Sequence, residues 1–330
     1  MLGKLALAHL PTPLWRSDAL DSLVGSSVWV KRDDMTGGAT AGNKLRKLEY
    51  LMADARARGA TVILTCGGLQ SNHARATALV AAELGFSSLL FLRTRTPAEP
   101  VAASGNVLLD RLAGADIRLI SPEQYRERAR VLAQAAAELE ARGERPYVIP
   151  EGGSNALGSL GYVDAMREVR AQLDLGLGGG PHAFDAVVFA CGSGGTAAGV
   201  VLGAREYDVA PRVIAVAVCD DADYFERVIG RIVMDAEKLQ PELQRGARLE
   251  VRDEWKGPGY AIMSAEQQAF LVAVSRRTGL VLDPVYTGKA LFGLSRLEPK
   301  PRRVLFLHTG GLPGLLAQAL ELGAALDHGR

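Results

Sequence analysis

Short apolar runs rich in β-branched residues alternate with longer segments of helical period along nearly the whole chain, and no other feature restricts its fold as strongly. The runs at 27–31, 61–66, 88–92, 116–120, 147–150, 186–191, 213–218 and 303–308 have the length and composition of strands. Segments 44–58, 72–84, 122–142, 194–207, 265–278 and 312–326 read as helices; in the first, Leu45, Leu48, Leu51 and Met52 share one face. Strands that alternate with helices form parallel sheets covered on both faces, joined by right-handed crossovers. A chain of 330 residues exceeds one ordinary core. The expected fold is therefore α/β, with two three-layer α/β/α lobes whose twisted sheets are mostly parallel. Glycine-rich breaks at Glu151-Gly152-Gly153-Ser154-Asn155 and from Leu175 to Pro181 mark boundaries. They predict a smaller lobe over 45–155 and a larger one over 1–44 plus 156–330.

Charge excludes some partners. With 38 Lys plus Arg against 37 Asp plus Glu, the formal net charge of +1 provides no field for nucleic acid or an anionic membrane. Cys66, Cys191 and Cys219 are too widely spaced for a metal site or a disulfide framework, which points to a reducing, cytoplasmic setting and no metal. The opening MLGKLALAHLPTP is a poor signal peptide, and no apolar stretch reaches spanning length.

Three loops carry the chemistry. Cys191-Gly192-Ser193-Gly194-Gly195-Thr196 follows a buried run and opens a helical one. Glycines let a backbone turn tightly and aim several N–H groups at one point, where the helix N-terminus adds positive potential, so a phosphate fits. A plain glycine-rich turn is the simpler reading, and Gly192, Gly194 and Ala197 also match a dinucleotide fingerprint. In Gly42-Asn43-Lys44, Asn43 is the expected helix cap and Lys44 falls in the first turn. The helix dipole there lowers an amine's pKa, as a Schiff-base lysine requires, although most lysines are merely solvated. The third loop, Gly67-Gly68-Leu69-Gln70-Ser71-Asn72-His73, offers an uncharged hydrogen-bonding nest suited to a carboxylate, or an ordinary Ser cap.

Together GNKLRKLEY, GGLQSNHAR, CGSGGTAAG, LDPVYTGKA and HTGG, running in order from HLPTPL at 9–14 to Gly311, resemble the D-cysteine desulfhydrase family. Its relatives include 1-aminocyclopropane-1-carboxylate (ACC) deaminase and L-cysteate sulfo-lyase, all of pyridoxal-phosphate (PLP) fold type II. The resemblance implies that Lys44 binds PLP covalently. Gly192, Ser193, Gly194, Gly195 and Thr196 would receive its phosphate, and Asn72 would contact its ring oxygen. Gln70, Ser71 and His73 would face the substrate carboxylate, with Tyr260 and Tyr286 projecting into the substrate pocket. It also implies a homodimer acting on a small amino acid.

ACC deaminases have Glu directly after the second pocket tyrosine, whereas this chain has Thr287, leaving Thr309 as the expected neighbour of the pyridine nitrogen. A hydroxyl supports a neutral ring, a weaker electron sink that suits β-elimination. The expectation is α,β-elimination from D-cysteine to pyruvate, ammonia and hydrogen sulfide. L-Cysteate or ACC are rival substrates with the same cofactor. A nicotinamide oxidoreductase, using Gly192 to Ala197 with Asp220 or Asp221, is the rival of another class.

Overall fold

The computed structural model describes residues 3–243 and 246–327. In chain order the strands are β1 (Leu14–Arg16), β2 (Ser27–Lys31), β3 (Val62–Gly68), β4 (Ser87–Arg93), β5 (Asp116–Ile120), β6 (Pro146–Val148), β7 (Ala186–Cys191), β8 (Arg212–Ala217), β9 (Arg248–Arg252) and β10 (Arg303–Leu307). The helices are α1 (Asp18–Val24), α2 (Lys44–Ala57), α3 (Asn72–Glu83), α4 (Gly105–Leu112), α5 (Pro122–Arg126), α6 (Arg128–Glu140), α7 (Ala156–Asp174), α8 (Gly195–Glu206), α9 (Ala222–Leu239), α10 (Ala265–Thr278), α11 (Thr287–Arg296), α12 (Leu312–Ala317) and α13 (Ala319–Asp327).

Two sheets result. One has the order β1-β2-β10-β7-β8-β9, the other β5-β4-β3-β6. Every pairing is parallel except β1 with β2. Each sheet is the middle of three layers. On β7 the side-chain period of two sends Val187, Phe189 and Cys191 toward α7, α8 and α9, and Ala186, Val188 and Ala190 toward α1, α10 and α11. In the smaller sheet Ile63, Leu90 and Leu92 pack under α2, α3 and α4, while Val62, Leu64, Cys66, Leu89 and Phe91 face α5 and α6. The α/β class, the layers and the mostly parallel sheets are those expected.

Several elements depart from the sequence reading. The 122–142 segment divides at Glu127 (φ −98°, ψ 23°), and 312–326 divides at Gln318 (φ −105°, ψ 20°). Strands β1 and β9 escape the pattern because each is a short edge strand with charged residues. Helix α7 escapes it because of Gly158 and Gly161, residues that ordinarily weaken a helix. Their reason is tertiary: a Cβ on Gly161 would lie 2.1 Å from the Arg46 carbonyl oxygen, so α2 and α7 touch backbone to backbone. Gly199 of α8 approaches the Ser159 carbonyl in the same way.

Helix α2 is buried on its charged side as well as its apolar one. Arg46 donates to both Asp33 oxygens at 2.8 Å and to both Glu168 oxygens at 3.0 Å. Lys31 joins Glu168, the Thr12 carbonyl and Gln172, and Tyr162 donates to Asp33 at 2.7 Å. Burial alone would raise the Asp33 pKa, but Arg46 and Lys31 hold it below the usual value. Lys31, Asp33 and Arg46 are at most 1% exposed. Breaking such a cluster from one side leaves a buried charge unpaired. Asp33→Ala is therefore expected to destabilise the fold by about 3–5 kcal/mol, read as a lowered urea midpoint; a loss below about 1 kcal/mol would contradict this account.

Candidate active site

The carboxyl ends of β3 and β7 point into the space between the sheets, where their loops meet the start of α2. Together they line a cavity. Its walls bring together Lys44, Ser71, Asn72, His73, Gly192, Ser193, Gly194, Thr196, Tyr260, Tyr286 and Thr309 from distant parts of the chain. Two expected residues are not part of the wall. The Gln70 side chain is spent on the Ser104 carbonyl at 3.1 Å and the Asn106 N–H at 2.8 Å, where it fastens α4. The Gly195 N–H donates to Ser154 Oγ at 3.1 Å.

Lys44 opens α2 and faces the cavity. Its pKa is lowered to about 8, first by burial and then by the Arg75 cation, so at neutral pH a useful fraction is the free amine. Burial, which the local sequence does not reveal, is the first cause of that shift. Asn43 holds the N-cap position as expected, but its backbone is already helical (φ −55°, ψ −19°) and its side chain makes no capping bond. It instead accepts from Lys44 Nζ at 3.0 Å and donates to Thr196 Oγ1 at 3.1 Å, tying the lysine to the glycine loop.

That loop turns at Gly194, whose φ of 85° is left-handed and suits glycine. A Cβ there would press on Val228 and Ile229 of α9, 3.0 and 3.3 Å away. The glycine is therefore needed for packing behind the loop as well as for the turn. A Cβ on Gly192 would meet the Tyr286 ring at 3.0 Å on the cavity side. Behind the loop lies a lysine that sequence reading passed over. Lys47 is 1% exposed, donates to the Gly152 carbonyl at 3.0 Å and approaches Ser154 Oγ at 3.4 Å. Ser154 Oγ is in turn 2.8 Å from Ser193 Oγ. Burial, then the Lys44 charge, push the Lys47 pKa well below its usual value. Nothing in the local sequence separates Lys47 from its solvated neighbours; only its spacing of one helical turn from Lys44 is a signal.

Ser71 caps α3, accepting the Ala74 N–H at 3.2 Å, and its own proton remains available. Asn72 accepts from Asn106 Nδ2 at 3.0 Å, which leaves its amide N–H groups to donate. His73 Nε2 lies 2.8 Å from Thr65 Oγ1, and Nδ1 has no partner among the described residues. Burial, with Lys44 and Lys47 nearby, keeps this ring neutral. Arg75, one turn on, holds the carbonyls of Ala39 and Ala41, the latter at 2.9 Å, and so steadies the loop that leads to Lys44. Among the described residues both oxygens of the buried Asp110 lack hydrogen-bond partners, and burial lifts its pKa to about 7 despite Arg75.

The two tyrosine hydroxyls meet at 2.8 Å, and burial raises both pKa values, Tyr260 to about 12, so both are proton donors. Thr309 belongs to the wall, whereas Thr287 does not. The Thr287 hydroxyl donates to Asp283 Oδ1 at 2.7 Å and accepts the Asp283 N–H at 2.9 Å. Glu151, the one carboxylate in the wall, is engaged by Arg128 at 2.9 Å and by Tyr125.

This donor set fits PLP. A reactive amine, a glycine loop at a helix N-terminus with a buried lysine behind it, and an orphaned imidazole nitrogen surround one cavity. Of the two acids that the nicotinamide alternative offers, Asp221 is taken, because it caps α9 by accepting the Tyr224 N–H at 2.7 Å.

Comparison with known proteins agrees. Residues 5–310 match the family described as pyridoxal-phosphate dependent enzyme. The chain is 43% identical to a putative 1-aminocyclopropane-1-carboxylate deaminase of Thermotoga maritima, covering 97% of this chain and 99% of that protein. It is also 43% identical to the mitochondrial bifunctional D-cysteine desulfhydrase/1-aminocyclopropane-1-carboxylate deaminase of Arabidopsis thaliana, over 98% and 82%. A D-cysteine desulfhydrase of Klebsiella pneumoniae is 39% identical over 95% of both chains. The crystal structure of an ACC deaminase homologue superposes with a TM-score of 0.88 at 34% identity, covering 98% of this chain and 96% of that one.

Only the neutral amine attacks an aldehyde, so the rate at which cofactor-free protein takes up PLP should rise with pH through a midpoint near 8, set by Lys44. In the same assay Lys47→Met should weaken PLP affinity by about tenfold or more, because the phosphate loses a buried cation. A midpoint near 10, or unchanged affinity in the variant, would remove these assignments.

Proposed function

The chain belongs to the pyridoxal-phosphate dependent enzyme family, and proceeding from that we propose that it eliminates a β-substituent from a small amino acid, with D-cysteine as substrate. The overall conversion takes D-cysteine and water to pyruvate, ammonia and hydrogen sulfide. The observation that carries this choice is the placement of the two threonines. Thr287 is withdrawn from the cavity and bound to Asp283, so the wall includes Thr309 and no unpaired carboxylate. A hydroxyl beside the pyridine nitrogen favours a substrate whose leaving group departs readily.

In this reading Lys44 holds the cofactor and, once free, its amine accepts the α-proton. Bound PLP supplies the electron sink for the carbanion at the substrate's α-carbon. The backbone of Gly192, Ser193, Gly194 and Thr196, with Lys47 behind it, takes the phosphate, and Asn72 donates to the ring oxygen. Ser71 and the first N–H groups of α3 bind the substrate carboxylate, with His73 as a neutral neighbour. The Tyr260–Tyr286 pair protonates the departing sulfur, which suits two phenols whose raised pKa values keep them protonated.

A homodimer in the cytoplasm completes the proposal. Leu108 and Leu112 on α4 and Leu312 and Leu316 on the adjoining α12 are all exposed, an apolar surface that supports self-association. Sedimentation should then give twice the 35.0 kDa chain mass. No helix among the described residues is long and apolar enough to cross a membrane.

ACC opening is the second reading, favoured by the names of the Thermotoga and Arabidopsis relatives. Keto-acid release from D-cysteine is expected to exceed that from ACC by about tenfold or more at equal concentration, with sulfide formed in step; equal or faster release from ACC would overturn the choice. Thr287→Glu is a poor probe of this preference, because it sets a second carboxylate against Asp283 in a buried site.

A further inference from the structure

Tyr260 has no helix or strand of its own to hold it. It stands in the segment between β9 and α10, at the corner of a turn closed by the Ile262 N–H, which donates to the Gly259 carbonyl at 3.2 Å. Ala261 follows with a φ of 63°, a left-handed position that side chains rarely adopt. Such a turn needs support from outside itself. We infer that Lys289 is a positioning residue for the reaction: it fixes the turn that presents Tyr260, and thereby sets the meeting of the two phenols. This deepens the elimination reading and rests on it.

Lys289 lies in the first turn of α11, the helix that begins directly after Tyr286. It is fully buried, and its Nζ donates to two carbonyls of the Tyr260 segment, Lys256 at 2.5 Å and Gly259 at 2.8 Å. A Cβ on Gly257 would lie 3.5 Å from the same nitrogen, so the amine fills the hollow of this segment. The placement is unfavourable for the lysine itself. A cation in a first turn opposes the helix dipole. Burial is the first cause of a pKa lowered to about 8, with Cys219 and Asp283 acting in the opposite sense. Among the described residues both bonds of the amine go to carbonyls and none to a carboxylate. Nor is Lys289 part of the cavity wall. The other tie on the segment, from Gln267 Nε2 to the Trp255 carbonyl at 2.7 Å, is farther along the chain from Tyr260. Lys289 thus joins the two halves of the pair, following Tyr286 on one helix and bonded to the residue before Tyr260. The hydroxyl contact at 2.8 Å depends on that bond.

The chemistry supplies a way to see this role. When D-cysteine is the substrate, the C–S bond breaks with its electron pair on sulfur, and sulfur takes a phenol proton. Chloride on the same carbon departs without a proton. Displacing Tyr260 should therefore slow loss of the thiol and spare loss of chloride. A defect of folding or of cofactor binding would slow both alike.

The test uses the holoenzyme with D-cysteine and β-chloro-D-alanine, following keto acid. In Lys289→Met the turn loses its donor. The kcat for D-cysteine should fall by about tenfold or more, with KM within about twofold, while kcat for β-chloro-D-alanine changes by less than about threefold. Adding Tyr260→Phe to that variant should cost less than about twofold further on D-cysteine, because both changes remove the same proton transfer. Independently of turnover, hydrogen exchange across 253–263 should quicken in the variant while that of α2 does not. Should Lys289→Met fail to fold, Lys289→Gln is read instead; it keeps a donor one atom short of its target, and kcat for D-cysteine alone should fall by about threefold or more. Equal losses on the two substrates, or exchange across 253–263 that does not change, overturns the proposal. If exchange quickens as expected while wild type releases keto acid from neither substrate, the elimination reading fails and the hold of Lys289 on the Tyr260 turn stands.

Discussion

The buried Arg46 guanidinium, shared between Asp33 and Glu168, is the contact on which the geometry of this protein turns. It joins the turn after β2, the first turns of α2 and the middle of α7. A charge in that position has no solvated alternative, so the three segments must keep one arrangement. Gly161 adds a steric constraint to the electrostatic one, because the α2 and α7 backbones are in contact beside the same arginine. Two residues before Arg46 stands Lys44. The position of the amine therefore follows from a network whose Arg46, Asp33 and Glu168 lie outside the cavity wall.

The cavity itself is a second consequence of burial. Lys44, Lys47 and Arg75 are cations brought together with little acid to balance them, and each has its pKa lowered by desolvation first. Such a concentration of like charge is unfavourable in isolation and becomes favourable when an anion arrives. The same loss of water that weakens the amines as acceptors of solvent protons makes Lys44 a nucleophile near neutral pH. It also keeps the phenols of Tyr260 and Tyr286 protonated, so one physical cause prepares a base and an acid on the same wall.

How much of this was legible in the sequence depended on range. Lys44, the glycine loop and the Ser71 loop could be read because each is punctuation between a strand and a helix, set by a few adjacent residues. The buried strands were equally plain, since β7 and β8 are covered on both faces and read as continuous apolar runs. What could not be read was set by distant partners. Asn43 has the composition of a cap, yet Thr196, far along the chain, claims its side chain. Gln70 has the composition of a ligand, yet Asn106 and Ser104 take it. Lys31, Lys47 and Arg46 look like surface residues until α7 and the Gly152 turn cover them. Thr287 is taken by Asp283 whereas Thr309 borders the cavity, and nothing in the local letters carries that information.

The low proton affinity of Lys47 has a thermodynamic consequence of its own. Burial and the Lys44 charge weaken the hold of Lys47 on its proton, whereas a doubly charged phosphate beside it would strengthen that hold. Cofactor entry is then coupled to proton uptake from the medium. The apparent heat of binding would vary with the ionisation enthalpy of the buffer, and the amount of cofactor retained would decline in alkali even where every contact is intact. A buried lysine of this sort makes occupancy of the site a function of pH, and it does so from behind the loop.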